Sequence, residues 1–103
     1  MGVKECVTCA SGTDGLLIPL MSKNIGTGDV VFTTNFSYFA TTEVISLVGA
    51  TPVFIDIDEK TFNINPNLLE TQIKKTINEG KLKPRAIIAV DLFGQLADYK
   101  KIE

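Results

Sequence analysis

Short β-rich runs alternate with longer helical segments along the chain, and this alternation limits the fold more than any other feature of the sequence. The β-rich runs are nearly continuously apolar, which is typical of parallel strands that are covered on both faces. The strands are predicted at residues 3–9, 29–33, 51–57 and 85–90. We therefore predict one α/β domain over residues 1–103, in which a parallel or mostly parallel sheet lies between helices on both faces, giving three layers.

Residues that start and stop helices separate the predicted strands. Asn65 followed by Pro66 predicts the beginning of one helix, because asparagine caps helices well and proline suits the first helical position. Pro19 lies inside another predicted helix, where proline costs about 3 kcal/mol, so we expect that helix to kink there or to begin later. The helices are predicted at residues 13–23, at 37–48 with Ser37 as the cap, from Pro66 to an end at Gly80, and from Ala97 onward.

The carboxyl ends of the strands are the expected location of a binding site, because open parallel sheets bind their ligands there. A glycine-rich turn at residues 26–29 precedes a strand instead of following one, so it is not predicted to be a dinucleotide-binding turn. The segments that follow predicted strands are residues 10–13, 35–38, 56–58 and 91–95.

Ser11, Gly12 and Thr13 join the first predicted strand to the first predicted helix. Glycine lets a ligand approach the backbone, and the free amides at a helix start attract anions. The hydroxyls of Ser11 and Thr13 add two hydrogen-bond donors. This segment is therefore predicted to bind a phosphate group, the alternative being an ordinary capped helix start.

Aromatic residues are concentrated in the segment after the second predicted strand. An aromatic ring in the first turn of a helix, at the end of the sheet, is placed to stack on a flat heteroaromatic ligand. Tyr38 is the candidate for that role. The alternative is that Phe36 and Phe39 are core residues and Tyr38 is an ordinary half-buried residue, and of the three we favour Phe39 as the core residue.

Polar residues follow the last two predicted strands. Asp91 and Gln95 are placed to contact a ligand, or equally to tie down their own loop. The pair Asp56 and Asp58 is compatible with acid–base chemistry or Mg²⁺ binding. We favour a turn in which these carboxylates cap backbone amides.

Several classes of function are excluded by composition. The chain has no histidine, so the commonest general base and metal ligand is missing, and Cys6 and Cys9 alone do not complete a metal site. We predict that both cysteines are buried on opposite faces of the first strand.

The net charge of −2 and the absence of a long apolar run predict no nucleic-acid partner and no membrane partner. A cytoplasmic location is expected, since the first residues do not have the pattern of a signal peptide.

Taken together, five segments resemble the DegT/StrS family of pyridoxal-phosphate (PLP) dependent sugar aminotransferases. The resemblance implies an incomplete aspartate-aminotransferase-like large domain of PLP fold type I, with PLP as the cofactor. It implies that Gly12 and Thr13 hold the PLP phosphate and that Tyr38 stacks on the pyridine ring. It also implies a nucleotide-linked keto-sugar as substrate, an amino-acid donor, usually glutamate, and a homodimer in the full-length protein. The matching segments are residues 11–16, 26–31, 36–41, 49–58 and 92–98.

The chain also departs from the family pattern. Asp91 stands where the family usually has histidine, and Pro19 is unusual. The family's Schiff-base lysine and the aspartate that pairs with the pyridine nitrogen would lie beyond residue 103, so we assign no catalytic residue here and expect this polypeptide alone to be inactive. A PLP-dependent sugar dehydratase of the same family and a non-catalytic α/β binding module are the alternatives.

Overall fold

The computed structural model describes residues 4–103 and contains a small parallel sheet with helices on both faces. Its three strands lie in the order β2–β1–β3, and both strand pairs are parallel. This confirms the predicted α/β class and the parallel sheet. The elements in chain order are α1 (Gly12–Ser22), β1 (Asp29–Thr34), α2 (Ala40–Leu47), β2 (Thr51–Ile55), α3 (Pro66–Glu79), β3 (Lys83–Ile87), a short 3₁₀ turn (Leu92–Gly94) and α4 (Tyr99–Ile102).

The central strand β1 is buried along its whole length, and its alternate residues belong to two separate cores. Val31 packs with α1 and α2, whereas Val30 and Phe32 pack with α3 and with Ile55 at the end of β2. Side chains of a strand alternate between its two faces, so both faces of β1 are covered by apolar residues. The three-layer arrangement predicted from the sequence is therefore confirmed.

The third helix has the ends that the sequence predicts. The Asn65 side chain accepts hydrogen bonds from the amides of Asn67 and Leu68, and Pro66 begins the helix. Gly80 follows its last residue with φ of 65°, in the left-handed region that suits glycine at this position. These local signals set the two ends of α3.

The first predicted strand is wrong for the residues that the structure describes. Residues 5–9 have no regular secondary structure and are exposed, and Val3 lies outside the described residues. The prediction of buried cysteines is wrong for the same reason, because Cys6 and Cys9 are both exposed. Among the described residues, this segment pairs with none of the three strands of the sheet, although an apolar composition alone favours a strand.

Two other strands are shifted from their predicted bounds. The strand β2 stops at Ile55, and Ile57 beyond it forms only an isolated antiparallel bridge with Ile64. The strand β3 begins at Lys83 and ends at Ile87, whereas residues 85–90 were predicted. Its early start is explained by pairing with β1, since the Lys83 amide donates to the carbonyl of Gly28.

The helix starts also differ from the predictions. The helix α2 begins at Ala40, and the Ser37 hydroxyl pairs with the Thr41 hydroxyl instead of capping the helix. Phe39, which we favoured as a core residue, is 71% exposed.

The helix α1 begins at Gly12 and continues through Pro19, so a later start is wrong. The last helix begins at Tyr99, because Ala97 is held in the preceding loop by Asp91.

Candidate functional site

A hollow of about 510 Å³ lies between the start of α1 and the segments that follow β1 and β3. Four of the residues predicted from the sequence line it, namely Gly12, Thr13, Tyr38 and Asp91. Ser11 and Gln95 are not among its lining residues. The remaining lining residues are Leu16, Ser37, Ala40, Thr41, Val90, Leu92 and Phe93.

The start of α1 presents free backbone amides. The Ser11 side chain accepts a hydrogen bond from the amide of Asp14 at 3.1 Å, and its carbonyl accepts one from Gly15 at 3.0 Å. Within residues 4–103, the amides of Gly12 and Thr13 have no acceptor. Because α1 has 11 residues, its dipole adds partial positive charge at these two amides. The start of α1 is therefore suited to an anion, and Ser11 serves as its cap.

The backbone at Gly12 is open to approach. A Cβ atom added at Gly12 would have no other atom within 4 Å, apart from its own chain neighbours and helix backbone. At Gly15, one turn along the same helix, an added Cβ would lie 3.5 Å from the Sγ atom of Cys9. The space beside Gly12 is therefore available to a ligand.

Tyr38 carries an exposed ring in the same hollow as the start of α1. Its side chain is 82% exposed, and in the described part of the chain no other aromatic ring stacks on it. The segment that carries it is fixed by two hydrogen bonds, from the Phe36 amide to Thr34 Oγ1 and between the hydroxyls of Ser37 and Thr41. A large ring held in the open has a face available for stacking on a heteroaromatic ligand.

The carboxylate of Asp91 is used within its own loop. Its Oδ1 atom accepts hydrogen bonds from the amide of Ala97 and from the hydroxyl of Tyr99, both at 2.9 Å. The hydrogen bond to Asp91 raises the pKa of Tyr99 above its ordinary value of 10.0, and desolvation acts in the same direction. Gln95 is exposed outside the hollow, with its backbone carbonyl bound by Asn63. A ligand contact for Asp91 or Gln95 stays a prediction.

The carboxylate of Asp58 belongs to a turn, as favoured from the sequence. Its Oδ1 atom accepts from the amides of Lys60 and Thr61, both at 3.0 Å, and these two bonds lower the pKa of Asp58. Asp56 accepts a hydrogen bond from the neighbouring amide of Ile57.

Asn63 and Phe93 are residues of this region that sequence reasoning missed. Asn63 is buried and binds three backbone groups of the loop that follows β3. Phe93 lines the hollow with φ of 55°, which is rare for a large side chain. No local pattern distinguishes either residue, because their roles depend on contacts between segments about thirty residues apart.

Comparison with known proteins gives matches that include both the residues lining the hollow and the strands of the sheet. The model of the DegT/DnrJ/EryC1/StrS aminotransferase family matches residues 1–103. The chain belongs to this family. The prediction made from the five sequence segments is therefore confirmed.

Members of the DegT/DnrJ/EryC1/StrS family are similar to the chain in sequence over almost its full length. The UDP-2-acetamido-2-deoxy-3-oxo-D-glucuronate aminotransferase of Pseudomonas aeruginosa is 45% identical over 102 residues, which are 99% of this chain and 26% of that protein. The chain thus spans about a quarter of the length of the curated relatives that it matches.

Solved structures of the family have the same arrangement of strands and helices. A DegT/DnrJ/EryC1/StrS aminotransferase from Brucella abortus superimposes with a TM-score of 0.90 at 53% identity, over 91% of this chain and 25% of that one. The PMP form of the Streptococcus pneumoniae protein Spr1654 superimposes with a TM-score of 0.79 at 37% identity, over 89% of this chain and 22% of that one. These neighbours confirm the predicted PLP fold type I class.

Proposed function

We propose that residues 1–103 are part of the PLP-binding domain of a sugar aminotransferase and that the hollow holds the cofactor. One observation carries this proposal. The two free amides at the start of α1, from Gly12 and Thr13, lie in the same hollow as the exposed ring of Tyr38. A phosphate ester attached to a flat heterocycle requires both an anion-binding turn and a stacking ring.

The residues present fit PLP in their chemistry. The amides of Gly12 and Thr13 would donate to the phosphate, and the hydroxyl of Thr13 would add a donor. Ser11 lies outside the lining of the hollow and would act by capping α1, with its hydroxyl hydrogen left to donate. The ring of Tyr38 would lie against the pyridine ring. When bound, PLP supplies the electron sink for transamination, and these residues supply grip and orientation.

The part played by the loop after β3 is also proposed. Asp91 lines the hollow, and within the described residues its Oδ2 atom makes no hydrogen bond, which leaves one carboxylate oxygen for a polar substrate group. Gln95 is exposed on the same loop and is proposed as a second substrate contact. Neither residue is required for the cofactor phosphate.

The substrate, donor, partner and location follow from family membership as proposals. We propose a nucleotide-linked keto-sugar as substrate, as the name of the Pseudomonas aeruginosa relative states for that protein, with glutamate as the amino donor. A homodimer and a cytoplasmic location complete the proposal. Within residues 4–103, none of the helices has the length and apolar character needed to cross a bilayer.

Gly12→Ala tests the cofactor site directly. The added methyl group would enter the space beside the free amides and weaken binding of pyridoxamine phosphate (PMP), which lacks the aldehyde and so does not react with lysines. We expect affinity to fall about ten- to hundredfold, because a hydrogen bond to a charged group contributes about 1.5–3 kcal/mol. Calorimetric titration of the full chain with PMP measures this change.

Gly15→Ala is the matched control, since it lies in the same helix but outside the lining of this hollow. Alanine favours a helix over glycine by about 1 kcal/mol, so this variant should unfold at higher urea concentration with unchanged PMP affinity. Equal PMP affinity in the Gly12→Ala variant and the unmodified chain would contradict the proposed site.

A further inference from the structure

Asn63 is a buried polar residue whose side chain is fully used by one loop. It is 4% exposed, although Phe62 beside it is exposed. Its Nδ2 atom donates to the carbonyls of Gln95 at 3.0 Å and Leu96 at 3.1 Å. Its Oδ1 atom accepts from the amide of Leu92 at 3.1 Å. Both amide hydrogens and the carbonyl oxygen therefore bind the backbone of the loop that follows β3.

This loop needs an external restraint. Phe93 has φ of 55°, in a region where a bulky residue costs about 1–3 kcal/mol, and such strain persists only where neighbouring structure fixes it. The Phe93 ring contacts the ring of Phe62 edge-on, with centroids 6.4 Å apart. Asn63 thus clamps the loop on both sides of its strained residue, at Leu92 and at Gln95 and Leu96.

The clamped loop forms one wall of the hollow. Asp91, Leu92 and Phe93 line that wall, whereas the anion-binding turn at Gly12 and Thr13 belongs to α1. Asn63 has no hydrogen bond with α1. The position of this wall therefore depends on the hydrogen bonds of Asn63. The position of the anion-binding turn does not depend on them.

We propose that Asn63 is a positioning residue for the ring of the bound cofactor. By holding the loop after β3, it fixes the wall against which the heterocycle lies, and it has no part in holding the phosphate. This inference rests on the proposed function. It predicts that loss of the clamp weakens the binding of a ring-bearing phosphate but not of inorganic phosphate.

Asn63→Asp is the decisive variant, because it keeps an acceptor for the Leu92 amide and removes both donations to carbonyls. Calorimetric titrations of the full chain with PMP and with inorganic phosphate give two affinities for each variant. Both ligands bind only the folded chain, so the ratio of the two affinities cancels any change in the folded fraction. We expect PMP to bind roughly tenfold more weakly, which is the size of loss seen when residues that orient metal ligands are removed. The affinity for inorganic phosphate should be unchanged.

Asn65→Ala is the matched control. Asn65 caps α3 through two backbone amides and makes no hydrogen bond to the loop after β3, so its loss reduces stability without touching the wall. Its PMP-to-phosphate ratio should equal that of the unmodified chain. Asn63→Ser, which keeps a smaller polar group, serves as a second variant if Asn63→Asp does not fold.

The outcomes separate the two proposals. A lowered PMP-to-phosphate ratio at Asn63 alone supports the positioning role. An unchanged ratio in both Asn63 variants overturns it and leaves the cofactor site intact. If the unmodified chain binds neither ligand, the proposed function fails, and the positioning role fails with it.

Discussion

The hydrogen bond from Tyr99 to Asp91 lies in the loop after β3, and the titration of the Tyr99 phenol reports on it. The hydrogen bond from Tyr99 to the carboxylate, supported by desolvation and by the negative charge, favours the protonated phenol and raises its pKa. A pKa raised on folding gives stabilisation that is complete below the unfolded value and is lost as pH rises through the folded value. This contact therefore stabilises the loop at neutral pH and weakens above pH 10.0, the ordinary value for tyrosine.

Asp91→Asn should lower the pKa of Tyr99 towards its ordinary value, because the charged acceptor is lost. Phenolate absorbance during an alkaline titration measures this change. The background variant Tyr38→Phe removes the other tyrosine of the chain, so that the signal reports Tyr99 alone. An identical titration curve with and without Asp91→Asn would show that the two side chains do not interact in solution.

At the residue scale, local patterns were sufficient for one wall of the hollow. Gly12 and Thr13 are predicted from a helix start, which the structure places there although the strand predicted before it is wrong, and Tyr38 is predicted from its place after β1. The sequence alone does not decide whether the Asp91 carboxylate contacts a ligand or its own loop. Its hydrogen-bond partners Ala97 and Tyr99 come close to it only when that loop has folded. Asn63 was missed since its partners come from another strand end.

The start of α3 is set by residues adjacent to it in the sequence. Asn65→Ala should reduce the free energy of unfolding by about 1 kcal/mol, because two amides at the start of α3 lose their side-chain acceptor. Urea denaturation followed by circular dichroism measures the change. Asn67→Ala is the comparison, since the Asn67 side chain makes no hydrogen bond within residues 4–103, and it should change stability much less. Equal losses in the two variants would contradict a capping role for Asn65.

At the element scale, helices with local signals were predicted better than strands. The cap, the first-turn proline and the final glycine of α3 are all adjacent in sequence to the helix that they limit. The strand predicted at residues 3–9 has the right composition but has no partner in the described sheet. The limits of β3 likewise depend on pairing with β1, which an apolar run alone does not specify.

The whole molecule exposes more surface than its mass requires. Its accessible surface is 7247 Å², whereas a compact monomer of 11.2 kDa is expected to expose about 5,700 Å². The outer edges of β2 and β3 both lack a neighbouring strand among the described residues, and a groove of about 580 Å³ with mostly apolar residues runs beside β3. The order of the strands, and hence which strands lie at the edges, is not predictable from the alternation of strands and helices.

The open edge of β3 predicts self-association of the chain. An unpaired strand edge beside an apolar groove offers hydrogen-bonding groups and apolar surface to another chain. Sedimentation velocity over a range of concentrations should therefore show species larger than the monomer as concentration rises. A single monomeric species at every concentration, with one cooperative unfolding transition, would contradict this prediction.

NMR of the full chain labelled in nitrogen and carbon, followed during titration through its backbone amides and aromatic ring protons, tests most directly whether the start of α1 and the ring of Tyr38 bind the cofactor. Inorganic phosphate should shift the backbone signals of Gly12 and Thr13 and leave the ring protons of Tyr38 unchanged. PMP should shift all three, because it brings a heterocycle as well as an anion. If PMP shifts signals elsewhere and leaves those of Gly12, Thr13 and Tyr38 unchanged, this hollow is not the cofactor site.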